Sequence, residues 1–359
     1  MAGILREAAE NIYASEIKTL IENEQYDIPS GWQMSPRSVL TYICGGKSGD
    51  VEISAKFIGH KRLVEIAIAT LLTDRSLLLV GEPGTAKSWL SEHLSAAITG
   101  DSKKIIQGTA GTTEEHIRYS WNYAMLIANG PTQSALVESP MFKAMASGGI
   151  LRFEEITRCA PEIQDALISI LSEKSLAVPE IGFELPAKKG FSVIATANTR
   201  DKGVNEMSAA LKRRFNVVTL PPPADMETEL AIVQQRVAES AESLDLKAKL
   251  PDQQAVKKVL TVFRELRAGL TSDGKSKLKT PSGIMSTAEA ISLLTGAMAM
   301  AGSFGDGEIN SEHLANGLHG VVIKDDHKDR SVWQEYLEQV VKKRGADWRP
   351  LYDASKQLL

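Results

Sequence analysis

Apolar residues follow two alternating rhythms between residues 51 and 222, and a single rhythm after that. Short apolar or β-branched runs at Leu77–Val80, Ile105–Ile106, Ile150–Phe153, Phe191–Thr196 and Val217–Leu220 predict buried strands. Stretches with helical spacing lie between them. Lys61–Leu72 puts Leu63, Ile66, Ala67 and Leu71 on one face, and Pro161–Lys174 is the clearest of the rest. Strands separated by helices predict a mostly parallel sheet covered by helices, an α/β class. Pro221, Pro222 and Pro223 end this region, because proline cannot continue a helix or a central strand. The remainder reads as all-helical, with helices at Met226–Ala238, Gln253–Leu270, Ser286–Ala301 and Ile309–Leu318 and a polar, lysine-rich loop at Thr271–Pro281. Upstream, a helix-like start at Ile4–Glu22 gives way to Pro29, Gly31, Pro36 and the cluster Cys44-Gly-Gly-Lys-Ser-Gly49, which reads as a boundary. The expected organisation is an N-terminal extension (1–50), a large α/β domain (51–222), a helical domain (223–322) and a charged tail (323–359) with a helix at Ser331–Lys343.

Composition narrows the function classes. At 359 residues and 43% hydrophobic, the chain can fill more than one core. A formal net charge of −4 argues against a basic nucleic-acid coat. The two cysteines, Cys44 and Cys159, form no spaced pair, which fits a reducing, cytoplasmic setting and excludes a disulfide framework or zinc site. The N-terminus lacks the apolar core of a signal peptide, and no run of about 18 apolar residues is present to span a membrane.

Four motifs carry chemistry. Gly81-Glu82-Pro83-Gly84-Thr85-Ala86-Lys87-Ser88 follows one predicted strand and precedes a helix-like run starting at Trp89. This is the context of a phosphate-binding loop: backbone N–H groups and the helix N-terminus cradle phosphate, Lys87 pairs with the outer phosphates, and Ser88 ligates Mg²⁺. Ala86 stands where the pattern has its second glycine. Placed at the helix start, it is expected to sit on helical backbone, where alanine is well tolerated. Gly148-Gly-Ile-Leu-Arg-Phe-Glu154-Glu155 ends an apolar strand in two acids. After a phosphate loop, Glu154 is expected to support Mg²⁺ through water and Glu155 to polarise the attacking water. A Glu at 154 replaces the more usual Asp. Ala195-Thr-Ala-Asn198 ends another strand, and Asn198 is suited to positioning water; read alone, it is also a turn former. Ala210-Leu-Lys-Arg213-Arg214-Phe215 offers an arginine finger acting on a neighbouring subunit, or else cations decorating a helix C-terminus.

Together these motifs resemble those of the AAA+ ATPases, and specifically the MoxR-like branch. Gly59-His60 resembles the entry box near the adenine, Gly81–Ser88 the Walker A motif, Gln107-Gly-Thr109 the segment after the second strand, and Gly130-Pro131 with Glu138–Met141 the approach to Walker B. Glu154-Glu155 fall at Walker B, Asn198 at sensor 1, and Arg213 and Arg214 at the arginine-finger helix end. The resemblance spans about residues 55–320. It implies a five-stranded αβα domain plus a helical lid, with ATP and Mg²⁺ as cofactors and residues Gly59, His60 and Gly81–Trp89 around the nucleotide. It also implies a homo-oligomeric, usually hexameric ring, with von Willebrand factor A domain proteins as the client class. Two insertions follow, Thr112–Asn129 and a hairpin at Ser175–Gly190. The tract Ile117–Tyr123 is aromatic-rich, as a contact surface or a packed core would be. One departure stands out: Ser286-Thr-Ala288-Glu289 has Ala288 where relatives place a sensor 2 arginine, so Lys275–Lys279 would have to substitute, or lid sensing is altered. The expected activity is ATP-driven remodelling of a client complex. A nucleic-acid-linked motor and a nucleotide-gated scaffold are the alternatives.

Overall fold

The computed structural model describes residues 6–199 and 206–359. The first residues of the expected Ile4–Glu22 helix and the segment 200–205 after Asn198 lie outside the described residues. The chain divides into two compact units, one built mainly from residues 7–221 and the other from 222–359.

The first unit is organised by five strands: β1 (Ser76–Gly81), β2 (Ile105–Gln107), β3 (Ile150–Glu154), β4 (Ser192–Asn198) and β5 (Phe215–Leu220). They are ordered 5-1-4-3-2, and every pairing is parallel. These are the strands expected from the apolar runs. Alternation assigns their side chains to two layers. Leu77, Leu79, Ile150, Ile194, Val218 and Leu220 pack with Leu90, Leu94 and Ile98 of helix Lys87–Thr99 and with Val64, Ala67 and Ile68 of helix Lys61–Leu71. Leu78, Leu151, Phe153, Val193 and Ala195 pack on the other side with Met141 and Met145 of helix Pro140–Ser147 and with Leu167 and Ile170 of helix Pro161–Glu173.

Residues 7–50 contribute to the first layer. Ile17 and Leu20 of helix Ala14–Glu22, Met34, and Val39, Tyr42 and Ile43 of helix Pro36–Cys44 are buried in the same cluster as Leu77 and Leu90. The glycine-rich stretch after Cys44 forms an antiparallel hairpin, Gly46–Ser48 with Val51–Ile53. Beyond it, the fully buried side chain of Lys56 lies over the rings of Tyr13 (4.4 Å) and Tyr42 (4.7 Å) and pairs with Glu16. Removing an ammonium from water is costly, so this cage of carboxylate and ring faces is what makes its burial tolerable.

The two insertions take different forms. The segment Ser175–Val178 pairs antiparallel with Phe183–Pro186, the expected hairpin. In the other, Ile117 is buried, Tyr119 and Trp121 meet edge to face at 5.9 Å, and Tyr123 opens helix Tyr123–Asn129, which buries no residue.

The second unit has six helices, Met226–Ser243, Gln253–Ala268, Thr287–Phe304, Ser311–Val322, Asp326–Gln339 and Arg349–Gln357. They share one core. Residues after 323 belong to it: Trp333, Tyr336, Leu337, Leu351 and Tyr352 are buried beside Phe263 and Leu294. Two carboxylates pin the connections. Asp329 accepts from the backbone N–H groups of Ser282 (2.7 Å), Lys324 (3.1 Å) and Asp325 (2.8 Å), and from the Ser282 hydroxyl. Glu265 accepts from Ser272 N (2.8 Å), Ser272 Oγ (2.6 Å), Tyr336 Oη (2.6 Å) and Arg344. Burial pushes both carboxyls up, but these donors outweigh it and hold both below the ordinary carboxylate range. Among the described residues no helix is long and apolar enough to cross a membrane.

Candidate active site

The phosphate loop leaves β1 at Gly81 and enters helix Lys87–Thr99. One expectation is corrected here. Ala86 is not on helical backbone: its φ of 64° and ψ of 26° place it in the left-handed region, as the residue preceding the helix. The loop must reverse curvature just before the first helical turn. The pattern's second glycine is the residue that does this without steric cost, and alanine does it at roughly 1–2 kcal/mol. Lys87 is buried, and its Nζ donates to the carbonyls of Gly81 (3.0 Å) and Glu82 (2.9 Å), so the ammonium is folded back over the loop.

Glu154 is the hub of the site. It ends β3, is buried, and is flanked by β4 on one side and β2 on the other. Its Oε2 accepts from Ser88 Oγ (2.6 Å) and Thr196 Oγ1 (2.8 Å). Its Oε1 accepts from Ser91 Oγ (2.6 Å) and Arg152 Nη2 (3.1 Å). The loop serine Ser88 and Glu154 are therefore in direct contact. The backbone is equally constrained: Gly108 N donates to Glu154 O at 2.7 Å. A Cβ on Gly108 would lie 2.4 Å from the Glu155 carbonyl oxygen, so only glycine allows this approach. Glu155 follows in the left-handed region (φ 57°), turning the chain out of the strand. Its N–H donates to Thr196 Oγ1 (3.0 Å), and its half-buried carboxylate pairs with Arg158 Nε at 2.5 Å.

Asn198 ends β4 in register with Gly81, next to the start of the loop. Trp89 donates its indole N–H to Lys56 O (2.7 Å) and packs on His93 with ring centroids 4.5 Å apart. Gly59 and His60 are exposed just before helix Lys61–Leu71, and no side-chain hydrogen bond joins His60 to the loop among the described residues. The two arginines before β5 differ. Arg214 donates from Nε to Ser172 Oγ (3.0 Å) and from Nη1 to Ala210 O (2.8 Å). Arg213 is exposed and has no side-chain partner among the described residues. In the helical unit, Ala288 is exposed in the first turn of helix Thr287–Phe304. Lys279 pairs with Glu335 (2.7 Å), and Lys275 lies 3.8 Å from Asp273. Buried Glu229 takes Arg264 (2.9 Å), Arg267 (3.3 Å) and the Thr287 hydroxyl (2.8 Å).

Sequence reasoning missed three participants, namely Ser91, Thr196 and Arg152. Ser91 lies one helical turn after Ser88, and Arg152 lies two residues before Glu154 on a strand. Both spacings put the residue on the face of its neighbour. A charge inside an apolar strand run was the available signal.

Residues 76–215 match the AAA domain (dynein-related subfamily), and residues 227–358 match the YehL-like AAA+ ATPase C-terminal domain. The chain is 42% identical to the uncharacterized protein YehL of Escherichia coli (strain K12) over 358 residues, covering 98% of this chain and 97% of that protein. An uncharacterized Staphylococcus aureus (strain USA300) protein, SAUSA300_1302, is 30% identical over 146 residues, 40% of this chain and 55% of its own. The solved structure of NtrX from Brucella abortus in complex with ADP aligns with a TM-score of 0.49 at 13% identity, covering 83% of this chain and 61% of that one. A likeness of that degree adds nothing to the assignment. The parallel 5-1-4-3-2 sheet, the phosphate loop and the paired acids define an AAA+ ATPase, a nucleotide-binding ATP hydrolase. Within that class the chain belongs to the YehL-like family, which bears out the MoxR-like resemblance.

Proposed function

We propose that this chain is an ATP-driven remodelling machine working as a homo-oligomeric, hexameric ring in the cytoplasm, with Mg²⁺ as the cation. The observation that supports this best is the direct contact of Ser88 with Glu154 at 2.6 Å, with Thr196 bonded to the same carboxylate oxygen. Among the described residues no group of three His, Cys, Asp or Glu side chains is placed to hold a metal alone. A hydroxyl beside a carboxylate is instead the hard-oxygen donor set that shares Mg²⁺ with nucleotide phosphates. Bound there, the cation would neutralise charge developing on the transferred phosphoryl group.

The protein's own groups take the remaining roles. Lys87 exchanges the carbonyls of Gly81 and Glu82 for phosphate oxygens. Gly81 to Trp89 form the nucleotide cradle, and Gly59 with His60 border the base. Glu155 accepts a proton from the attacking water once its carboxylate leaves Arg158, and Asn198 orients that water. Arg213, exposed and with no side-chain partner among the described residues, is the better finger for a neighbouring subunit's site, because Arg214 is committed to Ser172 and Ala210. The client class carried over from the MoxR-like resemblance is a von Willebrand factor A domain protein. Nucleic acid is disfavoured by the charge balance.

The test is ATP turnover and particle mass measured together, for wild type and Glu155→Gln, across protein concentrations. Turnover that rises as a ring assembles, with a variant that assembles but does not turn over, is expected. Equal turnover in both proteins would overturn the assignment of Glu155. A protein that stays monomeric with ATP at full activity would overturn the ring.

A further inference from the structure

We infer that Arg152 is a positioning residue that holds Glu154 in the phosphate site and competes with the divalent cation for its carboxylate. The inference rests on the site reading above. On β3 the face toward helix Lys87–Thr99 carries Ile150, Arg152 and Glu154, and all three are buried. Two of three positions on a buried strand face are thus charged, where packing alone would select apolar residues.

The Arg152 guanidinium reaches four acceptors. Nε donates to Ser91 Oγ (3.1 Å), Nη1 to Ser102 O (3.1 Å), and Nη2 to both Ser88 O (3.1 Å) and Glu154 Oε1 (3.1 Å). Glu92 Oε2 lies 3.9 Å from Nη1. One planar fork therefore ties the phosphate-loop helix, the approach to β2 and the Walker B acid into a fixed arrangement. A lysine, with one nitrogen, cannot span these acceptors. Glu154 is saturated in turn, each carboxylate oxygen accepting two donors.

This arrangement acts on the cation in two opposed ways. The Ser88 hydroxyl spends its proton on Glu154, which leaves its lone pairs directed away from that bond and available to a metal. At the same time the guanidinium cancels much of the negative charge that would draw the metal in. Arg152 thereby makes the burial of this acid tolerable and weakens its hold on Mg²⁺.

The test is ADP binding by calorimetry to the full chain, with EDTA and across Mg²⁺ concentrations, backed by Mn²⁺ paramagnetic resonance. In Arg152→Gln the half-saturating Mg²⁺ concentration is expected to fall about tenfold, while ADP affinity in EDTA changes less than about twofold. Glu154→Asp keeps the charge but withdraws the carboxylate by one methylene from Arg152, so its metal half-saturation is also expected to fall. This second variant decides the matter if Arg152→Gln does not fold. Unchanged or weakened metal binding in the variants, beside a wild type that responds to Mg²⁺, would overturn the inference alone. A wild type whose ADP affinity ignores Mg²⁺ would overturn the site reading along with it.

Discussion

Replacing Ala86 by glycine separates a left-handed backbone from a helical one by the sign of the effect. At φ 64° and ψ 26°, the alanine methyl crowds its own carbonyl, at a cost of roughly 1–2 kcal/mol. Glycine removes that strain but adds about 0.5–1 kcal/mol of unfolded-chain entropy. The net expectation for Ala86→Gly is a gain of about 0.5–1 kcal/mol, a melting temperature higher by about 2 °C for a unit of this size. If Ala86 were helical, the same change would cost roughly 1 kcal/mol and lower the melting temperature by a similar amount. Thermal and urea melts of the full chain read the difference, with Ala166→Gly, inside helix Pro161–Glu173, as the helical control expected to lose about 1 kcal/mol. A fall in stability for Ala86→Gly matching the control would refute the backbone argument. Retention of ADP binding by the variant would show that the methyl group takes no part in binding, since the backbone N–H is kept.

Three further outcomes are expected. Arg213→Ala should lower ATP turnover by about 10³-fold with nucleotide affinity intact, while Arg214→Ala should lower it less than about tenfold; steady-state assays with equilibrium binding decide, and the reverse order would reassign the finger. Lys56→Met leaves Glu16 without its buried partner and should cost about 3 kcal/mol or more in urea unfolding, and a neutral result would show that the ring faces alone support that site. The depressed carboxyls of Asp329 and Glu265 supply stability that is complete above the ordinary carboxylate range and is lost as pH falls through their lowered values. Melting temperature measured from pH 7 to pH 3 should therefore drop more steeply for wild type than for Asp329→Asn, and parallel curves would remove Asp329 from the account.

Much of the large unit was legible because its strands are buried on both faces and read as unbroken apolar runs. The candidate phosphate loop, the acids Glu154 and Glu155 at the end of β3 and Asn198 were legible as candidates for a related reason: each ends such a run, where a parallel sheet presents its chemistry. What escaped was set by contacts between residues distant in the chain. The glycines after Cys44 signal a turn but not whether what precedes them packs inward, and the burial of Tyr42 and Met34 beside Leu77 is a tertiary fact. The residues after 323 looked like a charged tail because charges outnumber apolar residues there, yet Trp333, Tyr336 and Leu351 suffice to seat them in the helical core. The left-handed backbone at Ala86 leaves no trace in the sequence, because the residue before a helix has no periodic signature of its own. The contacts of Arg152 are equally hidden, because a long polar side chain in an apolar run discloses nothing of its partners.

The buried pair on β3 also bears on how this lineage can change. Losing Arg152 alone strands a buried carboxylate, and losing Glu154 alone strands a buried guanidinium, so either single step passes through a less stable protein. The two positions are expected to drift together. A descendant that loses the charge at 154 should lose the charge at 152 as well, and an inheritance that kept one charge without the other would need a compensating substitution near Glu92 or Ser102.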